Sequence, residues 1–104
     1  MIKYLTNEAE ALQELPSREH ACWICILPQF TGAELIDWAH QFNVPGNYLT
    51  DALDPEKLPR YEVQDSSTFL LLRTPVLMEV KDEEDPVYKT APIILILKPD
   101  IMIT

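Results

Sequence analysis

Glycine, cysteine and histidine each occur only twice in this chain of 104 residues. Two glycines leave little scope for backbone to close around a phosphate, and there is no glycine-rich phosphate loop, nucleophile elbow or His-Glu-x-x-His pair. No catalytic constellation is therefore legible, and the chain is not expected to be an enzyme. The two cysteines cannot build a four-thiolate zinc site, and His20 alone does not supply the second ligand pair that a mixed site needs. Basic residues are also scarce: eight Lys and Arg stand against seventeen Asp and Glu, a net charge of −9. Such a surface repels a phosphate backbone and an anionic bilayer, so neither a nucleic-acid partner nor direct membrane contact is expected. No apolar run reaches 18 residues, so nothing is long enough to span a bilayer as a helix. The opening "MIKYLTNEAEALQELP" has acidic residues where a secretory signal needs a basic patch and an apolar block.

What is present suits one domain. Hydrophobic residues make up 47% of the chain, enough for a single core at this length without metal or disulfide staples. "IKYLT" (2–6) reads as a strand. "NEAEALQEL" (7–15) reads as a short helix with Asn7 as its N-cap. "ACWICILP" (21–28) is an apolar run of the kind found in strands covered on both faces. "TGAELIDWAHQFNVPG" (31–46) carries the clearest local signal. Thr31 and Glu34 have capping-box spacing, and Leu35, Trp38, Ala39 and Phe42 form the stripe of a helix lying on a core. "GNYLTDAL" (46–53) adds two helical turns that close ahead of Pro55. "RYEVQD" (60–65) alternates as a half-exposed strand does. "TFLLLRTPVLM" (68–78) has apolar residues on both faces and reads as a central strand, "TAPIILIL" (90–97) as a buried one, and "IMIT" as the start of a last one. Helices come early and hairpins late. That order predicts an α/β or α+β fold, a mixed sheet with helices packed on its faces as in an α/β/α sandwich. The chain stops inside a strand pattern, as a segment of a longer protein would.

Several clusters invite chemistry. Cys22 and Cys25 have C-x-x-C spacing, but within a strand an odd offset of three sends the two thiols to opposite faces, which suits two core thiols of a reducing compartment. His40 falls on the polar side of the 31–46 helix. The acidic run "KDEEDP" (81–86) lacks the central glycine and alternating ligands of a calcium loop and reads as a solvated tip. Asp51 and Asp54 remain. In a helix over 47–53, Asp51 points outward, opposite Leu49 and Leu53, while Asp54 caps the turn before Pro55. One exposed carboxylate is a weak ligand, yet Mg²⁺ keeps most of its waters and often takes only one or two.

The ordered set Trp23, Ile24, Phe42, Val44, Leu49, Asp51, Leu53, Pro59, Arg60, Glu62, Asp65, Phe69, Leu70, Leu72, Ile101, Ile103 and Thr104 resembles the amino-terminal cytosolic domain of CorA-type magnesium and cobalt transporters. The likeness covers about residues 21–104. It departs from the family pattern at Thr50, where the family often has Glu, and at Leu58-Pro59-Arg60, where the Arg-Pro order is reversed. The resemblance implies an α/β/α domain of a homopentameric Mg²⁺ or Co²⁺ channel, placed at the cytoplasmic face of the inner or plasma membrane. Residues 1–104 would then form a single domain lying ahead of stalk and membrane helices. The resemblance also implies that Asp51 is half of a regulatory cation site between subunits, its partner acid lying on a neighbouring stalk, with Mg²⁺ held weakly. Asp54 has no role in that pattern and stays a turn residue. The competing expectation is an acidic protein-interaction domain unrelated to transport.

Overall fold

A computed structural model describes residues 1–7, 10–18, 22–78 and 87–104. Seven strands form one mixed sheet: β1 (Ile2–Thr6), β2 (Gln13–Leu15), β3 (Cys22–Ile26), β4 (Arg60–Gln64), β5 (Ser67–Leu77), β6 (Tyr88–Leu97) and β7 (Ile101–Ile103). Two helices, α1 (Gly32–Phe42) and α2 (Gly46–Thr50), followed by a 3₁₀ turn over Asp51–Leu53, connect β3 to β4. The strand order is β2-β1-β3-β7-β6-β5-β4. Every pairing is antiparallel except β3 with β7. The fold is thus α+β, a mixed sheet carrying two helices. Among the described residues, no helix is long and apolar enough to cross a membrane.

Helix α1 forms as its sequence dictates. The Thr31 side chain accepts from the Glu34 N–H while the Glu34 carboxylate accepts from the Thr31 N–H, a reciprocal capping box. Leu35, Ala39 and Phe42 are buried, and Trp38 packs partly against the same core. The helix ends at Asn43, whose left-handed backbone (φ 55°) suits asparagine better than most side chains. The Lys98 Nζ donates to the Asn43 carbonyl at 2.7 Å, tying this end to the β6–β7 turn.

The core lies between the helices and one face of the sheet. Cys22, Ile24, Phe69, Leu71, Ile94, Ile96, Ile101 and Ile103 all point into it, facing Leu35, Phe42, Tyr48 and Leu49. Cross-strand registers place Phe69 opposite Ile96 and Leu71 opposite Ile94, so these strands share one buried face. The alternate residues Trp23, Cys25, Leu70, Leu72, Ile93, Leu95 and Met102 form the other face. Among the described residues no helix covers that face, and Leu72 is 49% and Ile93 48% exposed.

Three local expectations change. The helix expected over 7–15 is not formed in its second half: Gln13–Leu15 is a strand, with Leu15 opposite Tyr4, and Glu10 has a positive φ of 62°. A nine-residue helix is marginal alone, and pairing onto β1 satisfies the same backbone groups. β5 is an interior strand, as expected, only over its first half: it pairs with both β4 and β6 as far as Leu71 and with β6 alone beyond it. The apolar runs in β3, β5 and β6 are buried on one face and half-covered or open on the other, rather than covered on both. His20 and the 81–86 run lie outside the described residues.

Candidate functional site

Asp51 opens the 3₁₀ turn after α2, and Arg60 opens β4. The tightening from α to 3₁₀ geometry advances each residue by a larger angle. That rotation leaves Leu53 half-exposed and turns the Asp51 side chain toward β4, where it is only 13% exposed. Here the structure corrects the expected solvated, outward-pointing carboxylate. The Arg60 Nη2 donates to Asp51 Oδ2 in a short contact, and the Lys57 Nζ lies 3.7 Å from Asp51 Oδ1. Both carboxylate oxygens thus face a cation of the same chain.

Arg60 is held on three sides. Its Nε donates to Glu62 Oε1 at 2.8 Å, and its guanidinium carbon lies 4.8 Å from the centroid of the Phe69 ring. That ring stacks on Tyr48 with centroids 4.3 Å apart. The hydrogen bond to Asp51, opposed by burial and aided by Glu62, holds the Arg60 proton more tightly than usual. The cluster is therefore anchored to the core from beneath, through an aromatic pair that bridges α2 and β5. The remaining residues around the cleft include Asn47 and Glu56, so oxygen donors surround it on several sides.

Asp54 behaves as a turn residue: its Oδ1 accepts from the Glu56 N–H at 2.9 Å. Lys57 is positioned by its backbone, whose carbonyl accepts from the Arg73 Nη1 at 3.1 Å. Cys22 is buried on the helix face and Cys25 half-buried on the opposite one, both free, as strand parity predicts. His40 is exposed on α1. Among the described residues no group of three or more His, Cys, Asp or Glu side chains is placed to hold a metal ion. The sequence reading singled out Asp51 but missed Lys57 and Arg60 as its partners. The available signal was Pro59, which forces extended backbone before it and starts β4 with Arg60 at the height of the 3₁₀ turn.

Two residues of the family-like set meet from opposite ends of the chain: the Trp23 Nε1 donates to Thr104 Oγ1 at 2.8 Å. The parallel β3–β7 pairing brings them together.

By class, this is an α+β domain: a mixed sheet with helices on one face and an ion-pair cluster where α2 meets β4. No family description and no curated protein matches the chain. Among solved structures, the complete CorA magnesium transporter from Methanocaldococcus jannaschii is similar to all of this chain, with a TM-score of 0.72 and 18% identity. The match covers 31% of that transporter chain, so this chain spans under a third of its length. At that identity the likeness is one of fold.

Proposed function

We propose that this chain is the cytosolic domain of a CorA-like divalent-cation transporter, acting as a scaffold and regulatory element without catalysis. The observation that carries the reading is the fold likeness over the entire chain. The ordered residue set from Trp23 to Thr104 supports it independently of the fold comparison. The uncovered apolar face of the sheet is also consistent with it. In this reading helices from the rest of the transporter pack there, completing the α/β/α sandwich, and the assembly is a homo-oligomer, by resemblance a pentamer, at the cytoplasmic face of its membrane.

In that assembly Asp51 is half of a cation site whose other carboxylate comes from a neighbouring subunit. Oxygen is the donor that a hard ion such as Mg²⁺ prefers, and Asp51 would contribute one carboxylate, which in the single chain is paired with Arg60 and Lys57. A site of one carboxylate per chain is weak by itself, and cation binding regulates only where the ion prefers one state of the assembly. Calorimetric titration of the 104-residue chain with Mg²⁺ is expected to show millimolar binding that weakens in Asp51→Asn. Submicromolar binding lost in Asp51→Asn would contradict the half-site, and millimolar binding indifferent to that substitution would contradict the role of Asp51.

A further inference from the structure

We infer that the gap in the sheet between β3 and β6, ahead of Thr104, is a slot for one more short length of strand, and that its occupant is the direct continuation of β7. The inference rests on the reading of this chain as one domain of a longer protein. β7 lies between β3 and β6 only over Ile101–Ile103, and among the described residues no strand runs between them beyond Thr104. There Ile26 and Ile94 line an apolar cavity of about 200 Å³, together with Leu35, Leu49, Ala52 and Leu53. An apolar cavity of about 150 Å³ already holds a benzene-sized group, so this one has room for a branched or aromatic side chain.

Two registers fix where a continuing residue sits. Ile103 lies opposite Ile24 in the parallel pairing and opposite Ile96 in the antiparallel one. Two residues further on, those registers arrive at Ile26 and at Ile94, the same two strand residues that line the cavity. Side-chain parity agrees. Ile103 is fully buried on the helix-covered face, so the residue directly after Thr104 points the same way, into the cavity, and the next one points to the open face. The backbone is prepared as well. The Thr104 N–H donates to the Ile24 carbonyl, and the Thr104 carbonyl accepts from the Ile26 N–H. The following residue therefore turns its own N–H and carbonyl toward β6. On that strand the Lys98 N–H donates to the Ile101 carbonyl. Hydrogen-bonded pairs alternate along an antiparallel ladder, so Ile94 presents its N–H and carbonyl to the slot at the matching level. The slot is short: its third position falls level with Pro28 and Pro92, and Pro92 has no N–H to continue the ladder.

Two lengthened chains of equal composition test the slot, one carrying valine-serine-serine after Thr104 and the other serine-valine-serine. The valine-first chain is expected to melt about 4–8 °C above the serine-first chain, because only the first position reaches the cavity. Its Ile94 amide is expected to exchange about tenfold or more slowly than in the 104-residue chain. Equal melting of the two lengthened chains, or the reverse order, would overturn the slot, as would an Ile94 amide that exchanges at the same rate in all three. A free peptide of alternating valine and serine that protects Ile94 of the 104-residue chain as fully as the appended residues do would overturn the in-line occupant in favour of a strand from a separate chain. The appended residues report on the slot whatever the natural frame holds. A frame that closes after Thr104 would overturn the transporter reading and the assigned occupant together, whereas failure of the valine-first chain would overturn the slot alone.

Discussion

Tyr48 is fully buried, and among the described residues its hydroxyl meets no hydrogen-bond partner, although its ring stacks on Phe69. A buried hydroxyl without a partner forfeits its hydration for nothing in return. Tyr48→Phe keeps the stack and removes the orphaned oxygen, so it is expected to leave thermal stability unchanged or raise it by about 1 kcal/mol or less. A loss of 2 kcal/mol or more, on the order of a broken buried hydrogen bond, would show that the hydroxyl is paired. Burial, with the Glu62 charge adding to it and Arg60 opposing it, holds the phenol proton more tightly than in free tyrosine. The folded pKa is raised, so this contribution is whole below the unfolded value near 10 and fades as pH climbs through the folded value. The Tyr48→Phe chain should lack that alkaline component in its pH–stability profile. None of this was legible from "GNYLTDAL", where Tyr48 looked like any helical aromatic. Asp51 was legible as a carboxylate worth attention, but its partners Lys57 and Arg60 were not: Pro59 signals that an extended segment begins near Arg60, yet not which side chain that segment meets.

Element by element, local signals succeeded where they were strong and failed where pairing decided the outcome. The α1 cap, its stripe and its Asn43 stop were all readable, because each interaction lies within four residues of its partner. β2 was not, since its three residues become a strand only through β1. The apolar runs of β5 and β6 showed that strands were present but not which face was covered. Parity now resolves this. Leu71 is fully buried and Leu72 half-exposed one residue later, so Leu71→Ala is expected to cost about 2–5 kcal/mol and Leu72→Ala about 1 kcal/mol or less. Equal costs in urea unfolding would mean that the second face is also packed. The prolines follow the same logic. Pro75 lies beyond the last β4 pairing at Leu71, and Pro92 lies before β7 joins at Ile96. Each sits where its strand has a neighbour on one side only, which is where a missing N–H is tolerated.

At the scale of the molecule, one face of the sheet is covered by helices and the other, among the described residues, is not. Trp23, Leu70, Leu95 and Met102 are half-covered on a face that meets no helix among the described residues. A contiguous apolar face of this kind commonly marks an interaction surface. The mixed sheet, the early helices and the late hairpins were all foreseeable from the order of the patterns, whereas the one-sided covering was not, because periodicity reports that a face is apolar without naming what packs on it. The acidic balance, −9 over the chain, adds a surface that concentrates cations. In the proposed reading both features belong to one larger protein, in which the open face packs against further helices and the end of α2 that carries Asp51 meets a neighbouring subunit. The most direct measurement is to read the gene's frame beyond the codon for Thr104. The proposed reading predicts long helical heptads followed by two apolar spans of about 20 residues. A frame that closes at once, or continues into a domain without such spans, would contradict it.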